Sequence, residues 1–257
     1  NALFGDNWDV VLAQKNDNIL GFLPYTITKK KTFQLIRPPF ITPYQGIWMS
    51  YPEDQKYTSR LSFEKEVITD IIKQLPQVDT FQQKFLPDFT NWLPFYWNGF
   101  EQTTRYTYII EDLVDTEKVF KDFKENIRRE IRKAEKKLAI ENIDDISLLF
   151  DLKVNVYKEN GDSYTIPKQL LINAFNFCKT NKTGELIAAK DANGNIHSIL
   201  FYVWDKTTAY YLHGGTYNDY KTSGSMSLLL WEAIKRSSKI VKQFNFEGSM
   251  VESIERY

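Results

Sequence analysis

One predicted strand ends in the side chains best suited to proton transfer. It reads Tyr210-Tyr211-Leu212-His213-Gly214-Gly215. An imidazole can accept a proton and a phenol can donate one, so His213 is a candidate base and Tyr211 or Tyr210 a candidate acid. Tyrosine and histidine are also common strand residues that need only one polar partner each, so a purely structural role is the alternative interpretation.

The sequence lacks the residues that a metal site or a Ser-His-Asp triad would require. The chain has two histidines and one cysteine, and its carboxylates do not cluster, which supports neither a metal site nor a Ser-His-Asp triad. His197 lies beside a predicted turn, where we expect a structural role. Cys178 has no second cysteine with which to form an intrachain disulfide, and this predicts a reducing, cytoplasmic location.

A basic stripe lies on a helix predicted over residues 116–137. Lys124, Arg128, Arg132 and Lys136 recur at steps of four, opposite an apolar stripe. Between positions 121 and 137, eight basic residues stand against four acidic ones. A solvated charged face is one interpretation. The other is a contact for phosphate groups, made by the guanidinium forks of Arg128 and Arg132 with Arg129 beside them.

Composition limits the class of protein. With 257 residues, 42% hydrophobic and 15% aromatic, the chain is predicted to fold around a substantial core. Its 33 basic residues balance 33 acidic ones, so no overall field recruits DNA or an anionic membrane. The sequence shows neither a membrane-spanning run nor a signal peptide. An Asn at position 1 and an end soon after a strand predict that it is part of a longer protein.

Two segments, 12–25 and 187–202, share one pattern. Each is an apolar strand, a turn of Asn, Asp or Gly, and a second apolar strand, which predicts a β-hairpin. A third strand, a glycine-containing loop, an amphipathic helix and another strand follow both. Chance similarity of two hairpins is the alternative, but the shared order favours duplication into units at 1–102 and 103–257.

The remaining elements follow from periodicity. In the first half we predict strands at 8–15, 19–28, 32–37 and 79–85, a helix at 61–75, and a joining strand at 103–111. In the second half we predict helices at 116–137, 146–159, 167–180 and 225–238, strands at 184–190, 196–204, 209–214 and 241–246, and a helix from 251. Met226 fits the apolar face of the helix at 225–238, together with Leu229, Leu230 and Ala233.

This order of elements resembles the GNAT acyltransferase fold, and two GNAT-like units in tandem characterise the Fem-type aminoacyltransferases. Residues 126–136, Asn-Ile-Arg-Arg-Glu-Ile-Arg-Lys-Ala-Glu-Lys, resemble the helix that opens their second unit. Residues 229–234 and 244–249 resemble its closing helix, strand and turn. The resemblance implies an α/β (α+β) fold of two tandem GNAT-like units, each a mixed, mostly antiparallel sheet flanked by helices. The first unit would be incomplete at its N-terminus and the second at its C-terminus.

The same resemblance implies a donor site. Members that bind acetyl-CoA carry an Arg/Gln-x-x-Gly-x-Gly/Ala loop before a helix, whose N–H groups hold the pyrophosphate. Here Met226 replaces the last small residue and would crowd a phosphate. The implied donor-binding residues are Gly214, Gly215, Lys221, Ser223, Gly224 and Ser225. The alternative is an ordinary helix cap made by one of the two serines.

By this resemblance the protein is an acyl- or aminoacyltransferase that acts on an amine, with acyl-CoA or aminoacyl-tRNA as co-substrate and no tightly bound cofactor. Glu247, after the last strand, would accept a proton from the amine. Tyr44, Gln45 and Tyr96 would line the pocket of a small-molecule or peptidoglycan-precursor acceptor. The alternative, which the aromatic composition favours, is that Tyr96 and its aromatic neighbours pack between the units. A monomer or homodimer is expected. The alternative is a GNAT-derived binding or scaffold protein without turnover.

Overall fold

The computed structural model describes residues 7–248, and the helix predicted from residue 251 lies outside them. The chain divides into two compact units, of which unit 1 ends at Thr104 and unit 2 begins at Arg105. Within the described part of the chain, no helix has the length and apolar character needed to cross a membrane.

Unit 1 is one sheet with a helix packed on it. Its elements are β1 (Trp8–Lys15), β2 (Asn18–Lys30), β3 (Phe33–Ile36), β4 (Trp48–Met49), α1 (Tyr57–Gln74), β5 (Thr80–Phe81) and α2 (Leu93–Trp97). Strands β1, β2 and β3 are antiparallel neighbours, β4 pairs with β2, and β5 runs parallel to β3. Leu23 and Tyr25 on β2 pack with Val67 and Ile71 on the apolar face of α1.

Unit 2 is a larger sheet with helices on both faces. Its elements are β6 (Ile109–Ile110), α3 (Thr116–Asp122), α4 (Glu125–Glu135), β7 (Ala139–Asn142), α5 (Ser147–Glu159), α6 (Lys168–Asn181), β8 (Gly184–Lys190), β9 (Ile196–Trp204), β10 (Thr208–Thr216), α7 (Ser225–Ser237) and β11 (Gln243–Asn245). The strand order is β6-β11-β10-β9-β8-β7, and only the β10–β11 pair is parallel.

The two faces of this sheet have different cores. Ile131 of α4 and Leu229 of α7 pack with Leu200 of β9 in one buried cluster. Phe201, the next residue along β9, points to the opposite face, because side chains alternate along a strand. Its ring meets Phe175 of α6, with the centroids 5.8 Å apart. Helices α4 and α7 therefore cover one face, and α5 and α6 the other.

The predicted duplication is confirmed at the level of topology. Elements β1-β2-β3-α1-β5 and β8-β9-β10-α7-β11 have the same connections, and in each unit the strand after the helix runs parallel to the third strand. The predicted hairpins occupy equivalent positions. Each pairing is irregular just before its turn, between Ala13 and Gln14 and between Ala189 and Lys190. Asn16 and Gly194 take the positive φ angles, 55° and 83°.

The continuous helix predicted at 116–137 is wrong. Phe123 and Lys124 adopt extended backbone angles, with ψ of 148° and 143°, and separate α3 from α4. The break lets two rings from α3 and the junction pack on Trp231 of α7, since the Phe120 and Phe123 centroids lie 4.9 and 5.7 Å from that ring. Aromatic packing there outweighs the helical hydrogen bonds that a continuous helix would form.

Several short elements also differ from prediction. The joining strand predicted at 103–111 is reduced to Ile109–Ile110, which pairs with β11, and the strand predicted at 79–85 to Thr80–Phe81. Strands β4 and β7 were not predicted. Both are short and mostly exposed, so they lack the apolar alternation by which a strand is recognised.

Candidate functional site

The candidate site begins where two parallel strands separate. Strands β10 and β11 are paired up to Tyr210 and Asn245. Beyond this point the backbone N–H of Phe246 donates to the carbonyl of Tyr108, 2.9 Å away on the opposite side. Strand β10 continues against β9 as far as Thr216. Beyond Tyr210 and Asn245 the facing edges of β10 and β11 are released, meaning that their backbone groups no longer hydrogen-bond to each other. Backbone groups on these edges can bind a substrate carbonyl or amide.

A β-bulge lies at this separation. The pairing of β10 with β9 shifts between Tyr211 and His213, so Leu212 is the extra residue. A bulge changes the direction in which neighbouring side chains point. Tyr211 packs against the core beneath α7, whereas His213 contacts Tyr164 in the segment between α5 and α6. The bulge thus places the two predicted acid–base residues on opposite faces of the sheet.

Tyr211 is held as a neutral phenol. Burial raises its pKa to about 12. Its hydroxyl lies 2.9 Å from the position that a Cβ atom on Gly214 would occupy, so a side chain at position 214 would displace the phenol. Tyr210 donates its hydroxyl to Asp205 over 2.8 Å. Burial, followed by this carboxylate, raises the pKa of Tyr210.

His213 is a neutral imidazole at pH 7. Its Nε2 lies 2.6 Å from the Tyr164 hydroxyl, and the two rings stack with centroids 5.7 Å apart. Burial and, to a smaller extent, the nearby Lys153 together lower the pKa of His213 to about 4. Burial also raises the pKa of Tyr164. A base whose conjugate acid is this strong takes up a proton poorly at neutral pH.

Lys153 on α5 belongs to the same cluster, although it was not among the predicted site residues. Its Nζ donates to the Gly214 carbonyl over 3.2 Å and lies 5.2 Å from the Tyr157 ring centroid. Burial lowers its pKa. A sequence signal existed, because Lys153 follows Leu149 by four residues and so falls on the buried face of the helix.

Two glycines predicted to bind the donor allow this close packing. A Cβ atom on Gly215 would collide with Leu152 and lie 3.1 Å from the Lys153 side chain. A Cβ atom on Gly214 would lie 3.1 Å from the Ile199 carbonyl oxygen. Both positions therefore exclude larger residues for reasons of packing around the Lys153 and Tyr211 side chains.

Glu247 lies two residues after the end of β11, on the edge released from β10. Its backbone has a φ of 64°, and its N–H donates to Asn245 Oδ1 over 2.8 Å. The same oxygen accepts a hydrogen bond of 2.5 Å from Thr107. Glu247 is half-buried, and its negative charge contributes to the raised pKa of Tyr210. The structure thus brings this carboxylate towards the phenols of β10.

The predicted donor loop leads into α7, where a carboxylate already lies. Gly224 caps the helix with a φ of 74°, and a Cβ atom there would lie 2.6 Å from Glu130 Cγ. The Ser227 hydroxyl, in the first turn, donates to Glu130 over 2.8 Å. Met226 packs against the core, as its helical spacing predicted, while Lys221 is exposed on the surface.

The serines of the loop bind hydroxyl groups of the sheet. Ser225 Oγ lies 2.9 Å from Ser223 Oγ and 2.6 Å from Ser198 Oγ, and the latter lies 2.7 Å from Thr216 Oγ1. Ser223 also accepts a hydrogen bond from the Ser225 N–H over 3.3 Å. These hydrogen bonds connect the start of α7 to β9 and β10, and they satisfy the serine side chains that were predicted to bind a donor.

The basic residues of α4 do not all face away from the core. Arg128 forms an ion pair with Glu125 one turn earlier. Arg132 is exposed, and its guanidinium lies 5.5 Å from the centroid of the Phe120 ring. Arg129 is exposed on α4.

The predicted acceptor residues belong to separate segments of unit 1. Gln45 donates its backbone N–H to the Lys84 carbonyl over 2.8 Å, and Tyr44, half-buried, precedes it. Tyr96 is on α2, 61% exposed, with its ring 5.6 Å from that of Trp92. Among residues 7–248, no group of three or more His, Cys, Asp or Glu side chains could hold a metal ion.

Comparisons with known proteins agree with this architecture. Residues 121–245 match the family described as "Acetyltransferase (GNAT) domain". No curated protein matches the chain. The crystal structure of FemX aligns with 95% of this chain and 80% of its own, at 11% identity and a TM-score of 0.66.

Two further solved structures are similar in fold. A conserved protein of unknown function from Bacteroides thetaiotaomicron aligns with 97% of this chain and 80% of its own, at 14% identity and a TM-score of 0.59. The C-terminal domain of a putative lysylphosphatidylglycerol synthetase from Agrobacterium fabrum aligns with 97% and 73%, at 11% identity and a TM-score of 0.53. The family match over residues 121–245 and the two-unit fold shared with FemX support the predicted resemblance to FemAB-like proteins of the GNAT acyltransferase superfamily.

Proposed function

We propose that the protein transfers an acyl or aminoacyl group from an activated ester or thioester to an amine. The observation that carries this proposal is the separation of β10 from β11 beside the Leu212 bulge. The released backbone groups suit the binding of a carbonyl that becomes negatively charged during attack. The Tyr211 phenol and the Glu247 carboxylate on the two released strands suit the proton transfers that aminolysis requires.

The surroundings of α7 favour an aminoacyl ester over acyl-CoA as the donor. In a CoA complex of this type, the pyrophosphate would approach the helix N-terminus. Glu130 already places a carboxylate in the first turn, and two like charges at one helix end repel each other. An aminoacyl-tRNA does not require that contact, and the exposed Arg129 on α4 suits its phosphates.

For the acceptor we propose a peptidoglycan precursor or another small molecule that carries a primary amine. Its support is the Fem-type resemblance of the two-unit chain. Both donor classes are cytoplasmic, so we propose a reaction in the cytoplasm. The lysylphosphatidylglycerol synthetase among the similar structures adds a lipid acceptor to the set that an assay needs to include.

The test is a transfer assay read by mass spectrometry. The protein is mixed with total aminoacyl-tRNA or acetyl-CoA, and with a nucleotide-linked muropeptide or phosphatidylglycerol vesicles. We expect the muropeptide to gain the mass of an aminoacyl group, and we expect Tyr211→Phe and Glu247→Gln to slow this gain. If wild type modifies no acceptor with either donor, the proposal is wrong and a binding or scaffold role is favoured.

A further inference from the structure

We propose that Lys153 is the group that accepts the proton released by the attacking amine during acyl transfer. This inference rests on the proposed function, and it concerns a residue outside the predicted acid–base set. Lys153 reaches β10 from α5, and its amine donates to the carbonyl of Gly214, two residues beyond the bulge. This hydrogen bond holds the amine 3.2 Å from the backbone of β10, next to the bulge.

The groups around Lys153 leave its amine without a neutralising partner. Within residues 7–248, no carboxylate lies within 4.0 Å of Lys153 Nζ. The nearby acid on its own helix, Asp151, pairs instead with Lys168 of α6 at 3.5 Å. The titratable groups that face Lys153 are His213 of β10 and Tyr157 of its own helix. Neither of them is a carboxylate.

Burial without a counter-ion favours the uncharged amine, and it lowers the pKa of Lys153 accordingly. A lysine with a pKa nearer to neutrality is a more useful base at pH 7 than an ordinary one. His213 is less suited, because its pKa is about 4 and its Nε2 is engaged by the Tyr164 hydroxyl. The structure therefore favours Lys153 over the histidine that the sequence indicated.

The space for Lys153 is built by the neighbouring strand. Gly215 has no side chain, and a Cβ atom there would lie 3.1 Å from the Lys153 chain and collide with Leu152. The next residue back, Gly214, supplies the carbonyl that orients the amine. Gly215 thus leaves space for the Lys153 side chain, and the Gly214 carbonyl orients its amine.

The proton transfers balance. The neutral substrate amine attacks the donor carbonyl carbon, and a C–N bond forms. Its nitrogen loses one proton to Lys153 Nζ, which becomes an ammonium group. The C–O or C–S bond of the donor then breaks, and the leaving oxygen or sulfur takes one proton from Lys153. The products are an amide and a free alcohol or thiol, and Lys153 returns to its amine form.

The first experiment needs no substrate. The intact protein is labelled with trace acetic anhydride between pH 6 and 11, and the label on each lysine is quantified by mass spectrometry. We expect Lys153 to be labelled with an apparent pKa below 10.5, the ordinary value for lysine. In Gly215→Ala, whose new methyl group displaces the side chain, this labelling curve should shift. An ordinary titration, or no labelling at any pH, contradicts the proposal.

The second experiment uses the transfer assay. Lys153→Met and Lys153→Arg should both lower kcat by about 100-fold or more, since neither side chain can accept a proton, and both should lose the acidic limb of the pH profile. Lys158→Met, on an exposed position of the same helix, is the matched control. Full activity in a folded Lys153→Arg protein contradicts the role of Lys153 and leaves the proposed function intact. Inactivity of every protein, wild type included, contradicts the proposed function.

Discussion

The Glu130 carboxylate accepts a hydrogen bond from the Ser227 hydroxyl over 2.8 Å and so lies against the first turn of α7. A helix N-terminus carries a partial positive charge and attracts anions. In this protein that charge is compensated by a residue of α4. The closely packed Gly224 between the two helices keeps this arrangement compact. The Glu130 carboxylate thus lies at the helix end where a bound phosphate would be expected.

Removing this charge should make the helix end more attractive to anions. Glu130→Gln retains an oxygen that can accept from Ser227 but carries no charge. We expect this variant to bind CoA about 10-fold more tightly than wild type, the size of a partly buried helix-dipole interaction. Isothermal titration calorimetry measures the difference. Glu135→Gln, exposed on the same helix, should have no effect, and equal CoA affinity of both variants would contradict the electrostatic argument.

Met226→Gly should destabilise unit 2 without creating a CoA site. The side chain packs against the core, so its removal should cost about 2–5 kcal/mol of unfolding free energy, with about 1 kcal/mol more from glycine in a helix. Glu130 would still repel the pyrophosphate. Thermal melts and calorimetry with CoA measure the two effects. Unchanged stability combined with newly tight CoA binding would show that Met226, and not the carboxylate, blocks the loop.

The basic residues of α4 should contribute to tRNA binding. In the double variant Arg128→Ala/Arg132→Ala, we expect weaker binding and a slope of log affinity against log salt that is smaller by about 1–2. Unfolding free energy should fall by only about 1 kcal/mol, because the lost contacts to Glu125 and Phe120 are near the surface. Filter binding at several salt concentrations measures this. If Lys118→Ala/Lys121→Ala in α3 weakens binding equally, no specific role belongs to α4.

His213 should make stability depend on pH between about 4 and 6.5. Its folded pKa is about 4, below the ordinary 6.5, so in this range the unfolded chain binds more protons than the folded one. Stability is therefore complete above pH 6.5 and falls, by at most about 3 kcal/mol, as the pH drops towards 4. His213→Phe keeps a ring against Tyr164 and should flatten this part of the curve. Urea unfolding at several pH values measures this dependence. If the slope of unfolding free energy against pH is the same in wild type and in His213→Phe, His213 titrates normally.

Most of the architecture could be predicted from local sequence patterns, but several boundaries of helices and strands could not. The apolar spacing of α1, the apolar spacing of α7 and the turn at Asn193-Gly194 each depend on residues that are close in sequence. All three were predicted. The break between α3 and α4 was missed, because the apolar stripe continues through Phe123 without interruption. What separates the helices is packing against Trp231, more than a hundred positions along the chain, and periodicity carries no information about it.

The order of the longer elements, the duplication and the buried faces of helices and strands could be predicted from local residue patterns, because they follow from side-chain periods of 3.6 and 2. The contacts of the polar side chains could not, because they depend on how the elements pack. Glu130 meets Ser227 across 97 positions, and Lys153 meets Gly214 across 61. Such contacts arise when α4 packs on α7 and α5 packs on β10. Since burial and proximity set the protonation of these groups, the candidate chemistry of the site exists only in the folded chain.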